Sequence, residues 1–475
     1  MRADRADKGF WKDTALVAAS NLIVKSRTLI TIPLITWNLG LPGLGAWSQV
    51  WAAANLIAAV APFNVHVFMI RQVASGAEGS QAAYSSAVAF AAVTGVLVVA
   101  AMSLASSTAG ALIFGNSGFA DIAVLTGLLA LAVAIRGVAL NQYRAHARFL
   151  RRSAFELLAA LLEILVLIAG WQAGLPLHTL VLLLVVMSLS IALVAAVDVL
   201  RFSGLHRPSL TFVREALKYG VPLLPLTLSA WVLDRIDRFF ISHHLGLDAV
   251  GEYSAVYSLA GVVLIFQAPV QMTLFPKISQ LWGRDSPQAL RLVEKCLLVL
   301  VSLSIATGAI LSVTATEALR LLVPGARTPD FSLICAAISL GLCAYSVFSV
   351  TGLVLHAQSK TRLLGISSIV AACVNCGLNV WLIPQFGLLG AAIATTISYS
   401  VSAALLSHLT RSNLAWSKIS VPLGIICVSV APGVCIRYAL GGTLQSSILA
   451  AATVSMGALG GGLIAWKLGL LKRWF

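Results

Sequence analysis

Runs of about twenty apolar residues, following one another with short connections, constrain this chain more than any other feature. A helix needs about 20 residues to cross the hydrocarbon core of a bilayer, and inside it only helices and closed barrels satisfy every backbone polar group. Six such runs fill the first half, at 14–37, 44–69, 82–105, 119–142, 153–172 and 177–200. Six more follow at 217–241, 249–275, 293–315, 331–356, 363–384 and 388–409, and a pair at 419–438 and 445–466 closes the chain. The sequence therefore predicts an all-α polytopic membrane protein of about 14 transmembrane helices. Composition agrees: 59% of residues are hydrophobic and 10% charged, against about 25% charged in soluble domains.

The few charges are lopsided, 32 Lys+Arg against 17 Asp+Glu. If the N-terminus is cytoplasmic, 24 of the cations fall in alternate, cytoplasmic segments, three (Arg320, Arg327 and Arg437) in outer loops, and five inside helices. A helix missed or invented mid-chain would invert every later loop, so the split predicts an even count with both termini inside. The same split assigns the positive excess to membrane orientation and not to a nucleic-acid partner. The polar N-terminal stretch MRADRADKGFWKD lacks the apolar core of a signal peptide, so the first helix is expected to be retained.

An internal repeat divides the chain. Residues 39–48 read LGLPGLGAWS and residues 245–254 read LGLDAVGEYS. At an offset of 206, Leu39/Leu245, Gly40/Gly246, Leu41/Leu247, Gly45/Gly251 and Ser48/Ser254 coincide, and Trp47 faces Tyr253. Pro62 and Pro269 interrupt the following helix at nearly matching places, and Arg71 and Lys277 close both segments. Six helices separate the copies, which makes them two parallel six-helix repeats related by an axis along the membrane normal. The expected division is 1–210 for an N-terminal lobe, 211–410 for a C-terminal lobe and 411–475 for an extra helix pair.

Charges within helices are the candidate functional residues, because an ionisable group at the helix centre costs roughly 2.5–3.5 kcal/mol on insertion scales. Lys25 and Arg27 lie near the middle of the first helix, about 200° apart around it. One reading has a cation facing a water-filled cavity; the other has both paired with carboxylates on neighbouring helices. The seventh helix carries Asp234, Arg235, Asp237 and Arg238. Asp234 and Arg238 are four apart and can pair on one face, which leaves Arg235 as the ligand-facing candidate, or the cluster neutralises itself. Arg136 in the fourth helix is either a third buried cation or an interfacial anchor. Glu156 and Glu163 share a face of the fifth helix two turns apart, as charge partners or ion-coupling groups. Cys373 and Cys376 have the spacing of a metal or redox pair, but within an apolar helix they read as small apolar residues. No G-x-x-x-x-G-K-[ST] loop is present, so the chain is not its own ATPase, and no metal, cofactor or catalytic constellation is predicted.

Two stretches carry a family resemblance. From Tyr219, Pro222, Pro225, Asp234, Arg235, Leu245, Gly246, Val250, Gly251, Tyr253 and Ser254 match one motif. From Asn375, the stretch NCGLNVWLIPQFGLLGAAIATTISY matches a second through Asn375, Asn379, Pro384, Gly387, Gly390, Ala391, Ala392, Ala394 and Thr395. Both resemble the polysaccharide and O-antigen flippases of the multidrug/oligosaccharidyl-lipid/polysaccharide (MOP) transporter superfamily. The resemblance implies a two-lobed MATE-like transporter with a cation-lined central cavity in the bacterial cytoplasmic (inner) membrane. The implied activity moves undecaprenyl-diphosphate-linked oligosaccharide from the cytoplasmic to the outer leaflet by alternating access, for exopolysaccharide, capsule or O-antigen synthesis. Its partners would be the polyprenyl-diphosphate-linked oligosaccharide, the bilayer, a proton or sodium gradient, and polysaccharide polymerase machinery. Many such oligosaccharide flippases have twelve helices, and fourteen matches the lipid II flippases, so a lipid II flippase is an alternative. A cation-coupled multidrug exporter would need an excess of buried acids, and a membrane polymerase or glycosyltransferase a large catalytic outer loop; the sequence shows neither.

Overall fold

The computed structural model describes residues 2–76, 80–328, 331–439 and 443–467. Fifteen α-helices fill them: α1 (Arg2–Val60), α2 (Val65–Ser75), α3 (Ser80–Leu104), α4 (Ser106–Phe114), α5 (Ala120–Ala145), α6 (Phe149–Ala173), α7 (Leu177–Ser203) and α8 (Leu210–Gly220), then α9 (Leu224–Ala260), α10 (Gln267–Trp282), α11 (Ser286–Leu322), α12 (Ser332–Ala357), α13 (Thr361–Leu409), α14 (Trp416–Ala439) and α15 (Leu444–Lys467). Ten helical stretches among the described residues are long and apolar enough to cross a membrane. Three of them are broken once, at Gly40, Gly246 and Gly387. Divided there, and with α15 added, they make the expected fourteen. The protein is a multi-pass, all-helical membrane protein.

The breaks explain the repeat. Gly40 has φ 69°, ψ −170° and Gly246 has φ 85°, ψ 178°, a region of backbone space that is essentially closed to residues with a Cβ. The chain reverses there. Arg27 and Trp51, 24 residues apart in α1, have guanidinium and ring 5.4 Å apart, whereas a straight helix would separate them by about 36 Å. Gly40 and Gly246 are equivalent at the 206-residue offset, so the conserved Leu-Gly-Leu segment of each copy is the turn of a helical hairpin.

The second helix of each copy is also interrupted. In the first, α1 stops at Val60 and α2 resumes at Val65, with Phe63 (φ 49°) and Asn64 (φ 57°) left-handed just after Pro62. Pro62 has no amide to continue the ladder, and the buried Asn64 side chain donates to Thr227 Oγ1 at 3.0 Å. In the second, a 3₁₀ segment at Gly261–Phe266 separates α9 from α10. The run expected at 217–241 is broken too: α8 ends at Gly220 and α9 begins at Leu224, around Pro222. Helix α4 has no counterpart among the expected runs.

The chain forms two compact units. The first comprises residues 1–231 with 245–251, the second 232–244 with 252–475. Within the first, a core of Met69, Tyr84, Tyr143, Val199 and Phe212 joins α2, α3, α5, α7 and α8. Within the second, Leu297, Val301, Val350, Val354 and Leu414 pack α11 and α12 on the segment leading to α14. Arg437, expected in an outer loop, is buried in the last turn of α14. It pairs with Glu317 at 3.3 Å and donates through Nε to the Val313 carbonyl at 3.1 Å, fixing α14 to α11.

Within the first unit the two hairpin turns touch. A Cβ on Gly45 would overlap the carbonyl oxygen of Leu247, and a Cβ on Gly251 would lie 2.5 Å from the carbonyl oxygen of Leu41. The two contacts exchange under the 206-residue offset, since Leu41 corresponds to Leu247 and Gly45 to Gly251. Helix backbones approach this closely only where side chains are absent.

Candidate functional site

The first unit gathers its buried charges where α1, α5 and α6 pack together. Arg27 Nη1 donates to Glu163 Oε2 at 2.5 Å; the carboxylate side chain is 3% exposed and the guanidinium 24%. Glu163 stands near the middle of the 25-residue α6, so the pair sits at mid-helix depth. Trp51, on the returning arm of α1, covers the guanidinium at 5.4 Å in cation–π range.

Arg136 is the third member. It lies on α5, nine residues from the helix's C-terminal residue, or about 14 Å along the axis. It feels Arg27, Glu163 and Glu156 electrostatically, but forms no hydrogen bond or ion pair with a described residue. Among the described side chains, two cations against one carboxylate leave the cluster one net positive charge. Glu156 adds nothing to that sum, because Arg152 holds it at 3.2 Å from the preceding turn. The side chain of Lys25 lies outside the described residues.

Of the two readings of the first-helix cations, the carboxylate pairing is the one seen at Arg27. Glu163 reaches it across 136 residues of sequence, and the pairing makes Glu163 its anchor. Breaking a buried pair by removing one partner typically costs 3–5 kcal/mol, and Arg27's partial exposure reduces that. Glu163→Gln is expected to destabilise the protein by about 2 kcal/mol. The double substitution Arg27→Gln/Glu163→Gln is expected to recover part of the loss. Thermal unfolding of the four proteins in one detergent checks this; equal stability of wild type and Glu163→Gln would remove the pair's structural role.

The second unit arranges its charges differently. Arg238 (5% exposed) pairs with Asp237 (2%) at 3.0 Å and lies between Tyr253 and Tyr257, at 5.9 and 4.7 Å. It also donates to the backbone carbonyl of Asp234. The expected Asp234–Arg238 side-chain pair does not form. Asp234 instead takes Arg235 Nε at 3.0 Å, with both side chains partly exposed. Each cation of the motif thus has an acid next to it in sequence, because Asp-Arg neighbours need no helical turn to meet. Arg235 is not left uncompensated, and Arg238 belongs to a closed, neutral cluster. From the second motif, Asn375 and Asn379 are buried and bonded to each other at 2.9 Å.

Trp51 is a member of the site that sequence reasoning passed over, although a signal existed. A reversal at Gly40 places residues equidistant from it side by side, and Arg27 and Trp51 lie 13 before and 11 after it. At the offset of 206, Trp51 corresponds to Tyr257, which covers Arg238 in the same way. Each repeat therefore carries an aromatic ring over an arginine; the rings are equivalent under the offset, but the arginines are not, since Arg27 corresponds to Leu233 and Arg238 to Ile32.

Comparison with known proteins agrees with this architecture. The family model of polysaccharide biosynthesis proteins matches residues 10–282, and that of the lipid II flippase MurJ matches residues 154–456. A probable low-salt glycan biosynthesis flippase from Haloferax volcanii is 24% identical over 217 residues, 44% of this chain and 44% of the relative. The chain thus spans under half the length of this curated relative. A structure of lipid II flippase MurJ in an inward closed conformation superposes with a TM-score of 0.73 at 14% identity, covering 95% of this chain and 99% of that one. An inward-facing multidrug resistance transporter of the MATE family gives 0.66 at 15% identity, over 82% and 94%. At these identities the structural likeness speaks for the fold. Fourteen helices in that fold, with two overlapping family models that each match more than half of the chain, make it a member of the polysaccharide biosynthesis protein family within the MOP superfamily.

Proposed function

We propose that the protein is a flippase for a lipid-linked oligosaccharide, moving a polyprenyl-diphosphate head group and its glycan between leaflets. The observation that carries this reading is Arg136, a membrane-embedded cation without an ion-pair partner among the described residues, beside the Arg27–Glu163 pair. A cation at such depth is costly unless something anionic visits it. A diphosphate supplies that charge, whereas a cationic drug would be repelled by the net charge of the cluster. The family match supports a glycan substrate. Transport from the cytoplasmic to the outer leaflet of a bacterial inner membrane, in exopolysaccharide, capsule or O-antigen synthesis, is the pathway this reading favours. The MurJ model over residues 154–456 favours a second substrate, lipid II, with the same head-group chemistry.

Reconstitution tests it. Vesicles holding the protein and a fluorescent undecaprenyl-diphosphate oligosaccharide are expected to expose all of the label to an external quencher within minutes, against about half in protein-free vesicles. A parallel set with labelled lipid II separates the two substrates. Half-protection with both carriers would overturn the reading.

A further inference from the structure

We propose that the junction of α6 and α7 is a binding site for one anionic glycerophospholipid, separate from the charged cluster around Glu163. A cavity of about 480 Å³ opens there, lined by Arg151 and Phe155 of α6 and by Leu193, Val197, Asp198 and Arg201 of α7. Its two ends differ in chemistry. Toward the middle of α7, Leu193 (65% exposed) and Val197 (41%) form an outward, partly exposed apolar wall. Toward the helix ends stand Arg151, in the first turn of α6, and Arg201, in the last turn of α7. A lipid has this polarity, with acyl chain along the wall and phosphate at the arginines.

The polar end is built. Asp198 Oδ2 accepts from the phenol of the buried Tyr143 at 2.6 Å and from Arg151 Nη1 at 3.1 Å, and Oδ1 takes the same Nη1 at 3.3 Å. Tyr143 is stacked on Phe155 at 5.7 Å, so the carboxylate is fixed from behind and holds Arg151 by one nitrogen. The remaining guanidinium donors of Arg151, and all those of Arg201, have no described protein acceptor. Asp198 is already engaged and does not offer itself to an ammonium head group.

Charge chooses the occupant. Arg151 and Arg201 against Asp198 leave one net positive charge, which a phosphodiester with a neutral head group, such as phosphatidylglycerol, cancels. Basic pockets between membrane helices beside the interface recognise anionic lipid head groups in this way. A diphosphate carrier would leave the site overcharged, and a zwitterionic phospholipid would bring a second cation.

Native mass spectrometry of the full-length protein tests the assignment, after exchange into mixed micelles carrying phosphatidylglycerol or phosphatidylcholine. Wild type is expected to retain one phosphatidylglycerol and to release phosphatidylcholine. Arg201→Gln, which breaks no hydrogen bond or ion pair with a described residue, is expected to lower that retention at least tenfold, as is Arg151→Gln. Arg207→Gln, the same charge change on an exposed residue outside the cavity, is expected to retain the lipid. Equal retention of both lipids, undiminished retention in Arg201→Gln, or equal loss in Arg207→Gln would each overturn the proposal. Lipid II added as competitor at equal concentration is expected not to displace the phospholipid; displacement would assign the cavity to the carrier.

Discussion

Gly45→Ala and Gly251→Ala are each expected to destabilise the protein, against the helix preference of alanine. Glycine is less favourable than alanine within a helix by about 1 kcal/mol, so an uncrowded site would gain from the change. At Gly45 the added methyl meets the Leu247 carbonyl, and at Gly251 the Leu41 carbonyl. These are backbone atoms, which cannot swing aside as a side chain can. Overpacking of this kind costs about 1–3 kcal/mol, and relief requires the two hairpin turns to part. Gly137→Ala is the control, because nothing lies within 4 Å of a Cβ there. Both turn variants are expected to unfold at lower temperature than wild type in the same detergent, and the control at the same or a higher temperature. Wild-type stability in Gly45→Ala would show that the turns separate without cost.

The second large effect concerns Arg136. Arg136→Gln removes the cluster's net charge without breaking any ion pair with a described residue. The variant is therefore expected to insert, fold and purify like wild type, and to be slightly more stable, since a membrane-buried cation is removed. Flipping of the labelled carrier is expected to fall at least tenfold. A charge-assisted hydrogen bond to a phosphate contributes about 1.5–3 kcal/mol, and 1.4 kcal/mol corresponds to a factor of ten. Arg136→Lys keeps the charge but loses the planar fork, and is expected to fall between the two. Full flipping by Arg136→Gln would detach transport from this cation.

How much of this was legible in the sequence depends on range. The apolar runs gave the fourteen helices because spanning length is a local property. The offset of 206 found the two hairpin turns because only glycine tolerates the backbone of Gly40 and Gly246. Charge pairing was less legible. Lys25 and Arg27 could equally have faced water or a carboxylate, and nothing local says that Glu163 meets Arg27 across 136 residues. The Asp234–Arg238 pair failed because helical spacing allows a contact without requiring it, and adjacent acids were available. The break at residues 61–64 was marked by Pro62, whereas the 3₁₀ segment at 261–266 precedes Pro269 and lies inside an apolar run, where hydropathy continues and only the hydrogen-bond ladder changes.

The one-residue reversals at Gly40, Gly246 and Gly387 have a practical corollary. A turn made of a single glycine offers no slack polypeptide, so antibodies, proteases and inserted epitopes have nothing to grip at those three corners. Residues 204–209 are non-helical, with Leu205 80% exposed, so a reporter inserted beside Leu205 is expected to spare the three hairpins.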